Sequence, residues 1–130
     1  MVAAVASPQN RQAVLWPASR VEWKDIPDIE GVKRSVIWGN PERTAFGALE
    51  KMPGGTSFPL HWHTYDARVV VVAGSLLVGL EGRPAQKLGP GSYCFLPGGS
   101  KHTRVCKAAE DCVFFVMRSG VDDTKWVGEK

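Results

Sequence analysis

The chain has 130 residues, with 16 Lys and Arg against 13 Asp and Glu, 44% apolar residues, three His and three Cys. This length supports one hydrophobic core and is too short for two. The net charge of +3 is scattered with no basic run, so neither nucleic acid nor a membrane is an expected partner and a small molecule is.

Residues 1–11 read as a tail and 12–130 as a single domain. Within the tail, Ala4-Val5-Ala6 resembles an A-x-A cleavage scar, as a trimmed periplasmic or secreted protein would carry, and equally an ordinary small-residue N-terminus of a cytoplasmic one. Short apolar runs then recur between Gly, Pro, Asn and Asp: Ala13–Trp16, Ser35–Trp38, Ala45–Leu49, Val69–Ala73, Ser92–Leu96 and Cys112–Met117. Each predicts a strand, with loops at Pro27–Lys33 and Pro53–Thr56. The longest apolar run, Val69–Ala73, is far below the roughly 20 residues of a spanning helix. No breaker-free window carries helical periodicity, so the expected class is all-β, a sandwich or barrel whose closure removes sheet edges. Cys106 and Cys112 flank a polar turn-like stretch; they are either a hairpin disulfide, which favours export, or two reduced core thiols.

The chemistry lies in the histidines. His61 and His63 are separated by Trp62, and on a strand such i, i+2 side chains share a face, so both imidazoles can converge on one ion while Trp62 points away. His102 follows the turn-forming Pro97-Gly98-Gly99-Ser100-Lys101. Neutral imidazole suits Fe, Zn, Ni, Mn and Cu alike.

The run from Gly55 to His63 reads G-x5-H-x-H, and Gly91 to His102 reads G-x5-P-x-G-x2-H. Together they resemble the two motifs of the cupin superfamily, over about residues 45–117. The resemblance implies a double-stranded β-helix, the RmlC-like jelly-roll barrel, with His61, His63 and His102 facing inward as metal ligands. One ligand of the usual pattern is missing: Ala67 and Arg68 stand where a Glu is expected, and Asp66 reaches only if its loop shifts. Such a three-histidine site is similar to those of cysteine dioxygenase and of the β-diketone-cleaving (acetylacetone) dioxygenases, which implies Fe(II).

Three neutral ligands leave the full 2+ charge on the ion, which favours an anionic or enolate ligand. Arg68 is a candidate for meeting its charge, or a partner of Asp66, or a solvated side chain; Tyr65 is a candidate phenol donor or a packed rim residue. Candidate pocket walls are the Val69–Val72 strand, Phe58, Phe95, and Phe114 or Phe115, of which alternation turns only some inward. Trp62, on the outer face, predicts a homodimer unless another segment covers it. The leading functional expectation is a mononuclear non-haem dioxygenase for a small enolisable compound such as a β-diketone. The alternatives are a non-catalytic sensor or binding cupin and a metal-dependent lyase or isomerase.

Overall fold

A computed structural model describes residues 11–128. Among these residues, a 3-10 turn at Ala18–Arg20 precedes eleven strands: β1 Lys24–Ile26, β2 Ile29–Gly39, β3 Phe46–Met52, β4 Ser57–Trp62, β5 Ala67–Ala73, β6 Leu76–Leu80, β7 Gln86–Leu88, β8 Tyr93–Leu96, β9 His102–Cys106, β10 Cys112–Arg118 and β11 Lys125–Trp126. They form two antiparallel sheets, ordered β1-β2-β3-β10-β5-β8 and β11-β4-β9-β6-β7. This is the expected jelly roll.

Alternation decides what faces the interior. On β5 Ala67, Val69 and Val71 are buried while Arg68, Val70 and Val72 face out, and on β10 Cys112, Phe114, Val116 and Arg118 are buried. Phe46, Phe114, Met52 and Leu76 are almost fully enclosed between the sheets, each contributing about 1.5–3 kcal/mol by burial. Most buried positions are apolar, but His61, His63, His102, Arg104, Arg118 and Glu50 are buried as well.

Two local expectations are corrected. Ala13–Trp16 is not a strand: Val14 and Leu15 are 70% and 90% exposed, and no neighbouring strand takes their backbone groups. Pro27–Lys33 is not a loop but a two-residue turn, Pro27-Asp28, entering β2 at Ile29. Gly31, which reads as a breaker, is absorbed inside the strand at φ +85°, where the β1–β2 register slips as at a bulge. The tail expected over 1–11, with Ala4–Ala6, lies outside the described residues except for Arg11.

The possible disulfide is absent. Cys106 and Cys112 are buried free thiols, the first donating to Glu110 O at 3.4 Å and the second to Ser75 O at 3.1 Å. Burial, reinforced by the Cys106 thiol, pushes Cys112 up to about 12, so the reactive thiolate is suppressed.

Candidate metal centre

β4 and β9 are hydrogen-bonded neighbours, and their register sets His61 opposite His102. A bulge between Phe58 and His61 lets both point into the barrel although they are three residues apart. His63 follows at the end of the strand. The Pro97–Ser100 turn is locked beneath it: Gly99 N donates to His63 O at 2.8 Å, and Gly98 N to Asp66 Oδ1 at 2.8 Å. Gly98 lies so close to the Thr64 carbonyl that no side chain fits there.

Each ring is oriented by a backbone carbonyl. His61 Nδ1 lies 2.7 Å from Pro59 O, His63 Nδ1 2.5 Å from Asp123 O, and His102 Nδ1 3.0 Å from Ser100 O. A carbonyl only accepts, so every Nδ1 carries the proton and every Nε2 offers a lone pair to the interior. Such outer hydrogen bonds are those that orient metal-ligating imidazoles. The Nε2 atoms of His61 and His102 are buried without any partner, and one potential ligand atom from each of the three histidines lies within 4.8 Å of the others. Buried orphan acceptors are costly, and a divalent cation shared by all three removes that cost, so the donor set fits a metal.

Burial holds the histidines neutral. Desolvation first, with nearby guanidinium groups, lowers His61 to about 4, His63 to about 2 and His102 to about 3. They are therefore unprotonated ligands at neutral pH without needing a metal to displace protons.

Among the described residues, no carboxylate joins them. Asp66 is spent on the Gly98 amide, and its own N–H bonds Ser119 Oγ at 3.1 Å. Arg68 is on the outer face of β5, its guanidinium 4.6 Å from the centre of the Phe95 ring, away from the histidines. Tyr65 is 42% exposed and packs over Gly120 at the rim. Of the candidate walls, Phe58, Phe114, Val69 and Val71 face inward, while Phe95, Val70 and Val72 are exposed.

The interior instead contains residues that the motifs do not single out. A cavity of about 30 Å3 beside His61 and His63 is walled by Ile26, Ile29, Val32 and Phe58 and by Glu50, Arg104, Arg118 and Asp122. Arg104 Nη1 lies 3.9 Å from Glu50 Oε1, and its guanidinium sits 5.1 Å from the Phe114 ring centre and 5.6 Å from that of Phe58. Desolvation raises the Glu50 carboxyl, against the pull of Arg104. Trp126, on the returning β11, packs 5.1 Å from the His61 ring. Strand alternation carried the missed signal: His102-x-Arg104 and Cys112-x-Phe114-x-Val116-x-Arg118 each continue one inward face.

Residues 11–122 match the model of the ChrR cupin-like domain family. The chain belongs to that family. As a ChrR cupin-like domain it also has 37% identity over 51 residues with the dimethylsulfoniopropionate lyase DddQ of Ruegeria pomeroyi; this stretch is 39% of the chain and 25% of the lyase. The chain thus matches only a quarter of that relative's length. Among solved structures, the polyketide cyclase RemF from Streptomyces resistomycificus superposes with a TM-score of 0.75 and 20% identity over 92% of this chain and 88% of its own. DddQ from Ruegeria pomeroyi superposes with a TM-score of 0.68 and 18% identity, over 98% and 80%. At these identities the structural likeness extends to the fold alone.

Proposed function

We propose that this ChrR cupin-like domain is a mononuclear metal-dependent enzyme of the dioxygenase type, acting on a small enolisable compound that binds as an anion. The observation that carries the reading is the set of three inward Nε2 lone pairs, two of them orphaned, with no carboxylate among the donors. A divalent ion held there supplies Lewis acidity to a chelating enolate and, when it is Fe(II), redox chemistry toward O2. The protein's own part is binding, orientation and exclusion of water. Pro59, Ser100 and Asp123 carbonyls fix the rings; Ile26, Ile29 and Phe58 keep the cavity apolar on one side. Glu50 lines that cavity beside Arg104, and burial raises its carboxyl against the pull of that guanidinium. Oxygen uptake by iron-loaded protein with acetylacetone-like substrates, abolished in His102→Ala, tests the proposal. No turnover across a panel of enolates by protein shown to contain iron would refute it.

A metal-dependent lyase is the second reading, favoured by the 37% identity with a lyase over 51 residues. Product formation under strict anaerobiosis, with zinc or nickel as effective as iron, would replace the first reading with this one.

A further inference from the structure

Among the described residues, Arg118 is a buried charge with idle donors. Its side chain is 4% exposed, and Nε and Nη1 have no hydrogen-bond partner. Nη2 faces only His63 Nε2, at 3.5 Å. Asp122 Oδ1 lies 3.3 Å from Nε but out of line for a hydrogen bond, and its other oxygen already accepts from Arg34 Nη1 at 2.8 Å. Glu50 is turned to Arg104. Three guanidinium groups, of Arg34, Arg104 and Arg118, therefore share two carboxylates in a largely buried space.

A buried guanidinium with idle donors is expensive unless an anion reaches it. Metal binding sharpens that need. The His63 lone pair cannot serve the ion and Arg118 together, so Nη2 loses its one neighbour when the ion arrives, and positive charge is added beside it. An anion with one oxygen at the three-histidine site and another against Arg118 relieves both, since a planar guanidinium is shaped to hold a carboxylate. Size limits the candidates: the inner cavity of about 30 Å3 takes little more than a head group, and the larger space of about 270 Å3 at the mouth, sharing Ile26, Ile29, Asp122 and Thr124, receives the remainder.

We propose that Arg118 is a specificity-determining residue that selects small carboxylates carrying a second oxygen on the adjacent carbon, as in 2-oxo acids and their enols. This rests on the substrate occupying the three-histidine site, as in the proposed function, and narrows its class from enolates in general to carboxylates.

The test compares pyruvate with methyl pyruvate, which keep the same keto oxygen and differ in charge, by calorimetric titration of the protein both metal-free and loaded with zinc, where no oxygen chemistry intervenes. The wild type is expected to bind pyruvate about tenfold or more tighter than the ester. Arg118→Gln is expected to lose that preference while retaining zinc stoichiometry and affinity for the ester, with Arg118→Lys keeping part of it. Arg68→Gln, which changes an outward arginine, leaves the preference intact. Equal affinity of the wild type for acid and ester, or a preference that survives Arg118→Gln, overturns the assignment. The wild-type comparison needs no variant to fold, and the metal-free arm separates the two proposals. A preference there without zinc uptake refutes the metal reading and sustains the Arg118 subsite, whereas zinc uptake without a preference does the reverse.

Discussion

His61 and His102 stand directly opposite each other across the β4–β9 ladder, with ring centroids 4.3 Å apart. Two imidazoles this close inside a barrel, each with its remaining nitrogen unpaired, supply two of the three members of a site whose third, His63, is delivered by the continuation of β4. Sheet register, more than loop conformation, sets the spacing of the ligand atoms, so metal affinity is coupled to the integrity of the barrel.

The first consequence is thermal. At a metal concentration 100 times Kd the native state gains about 2.7 kcal/mol, which for a domain of this size raises Tm by about 10 °C. Differential scanning fluorimetry with added zinc or iron should show the shift in wild type and its loss in His61→Ala and His102→Ala. An unchanged wild-type Tm, with no metal found by elemental analysis, contradicts the site.

A second consequence concerns acid. The three histidines ordinarily titrate near 6.5, and burial lowers them to about 4, 2 and 3 in the native protein. Between those values and 6.5 the unfolded chain binds more protons, so native stability is intact above pH 6.5 and falls as pH drops, for His61 until about 4 and for the other two further, to about 3 and 2. Each histidine contributes at most about 1.4 kcal/mol per pH unit to that loss. Urea unfolding of metal-free protein at pH 7.5, 6 and 5 should show the decline, and His102→Ala a shallower one. A flat profile would place the histidines in water.

Asp123 ties the last loop to the centre. Its carbonyl orients His63, and its carboxylate accepts from both the Thr64 amide, at 2.9 Å, and the Thr64 hydroxyl. Asp123→Ala keeps that carbonyl but releases the loop that aims it, so metal affinity should fall by less than the about 10- to 100-fold of losing an outer partner outright, with all three ligands in place. Competition with a chromophoric chelator measures it.

Gly98 is required by contact, not by backbone angle. A Cβ there would run into the Thr64 carbonyl oxygen, so Gly98→Ala must push the Pro97–Ser100 turn away from His63. Chemical denaturation should reveal a loss of about 1–3 kcal/mol, whereas Gly89→Ala, with open space around it, should cost less.

We propose that the homodimer expected from Trp62 forms over this residue, which is half-buried with β11 paired alongside it. Sedimentation should find a dimer that Trp62→Ala weakens; a monomeric wild type, or a dimer that Trp62→Ala leaves intact, refutes it.

Much of the centre was legible in the sequence because a strand's period of two and the spacing of two glycine-bounded motifs place His61, His63 and His102 without tertiary information. Arg104 and Arg118 obey the same period, yet Arg is ordinarily a surface residue, and composition argues against putting it inside. Glu50 and Asp122 were invisible for a different reason: their roles depend on which strands become neighbours, β3 with β10 and the final segment with β2. At Ala13–Trp16 an apolar run met no partner, and at Gly31 a supposed breaker was accommodated as an irregularity in a strand. In both places tertiary pairing, not local preference, decided.

The bond from Asp123 O to His63 Nδ1 joins residues 60 apart in sequence, and Asp122 and Trp126 reach the same end of the barrel from that segment. During synthesis both motifs emerge before the residues that orient the third imidazole and close the wall. A nascent chain therefore holds an unfinished centre until the segment around Asp123 has left the ribosome, so the order of the strands makes productive metal capture wait for that segment.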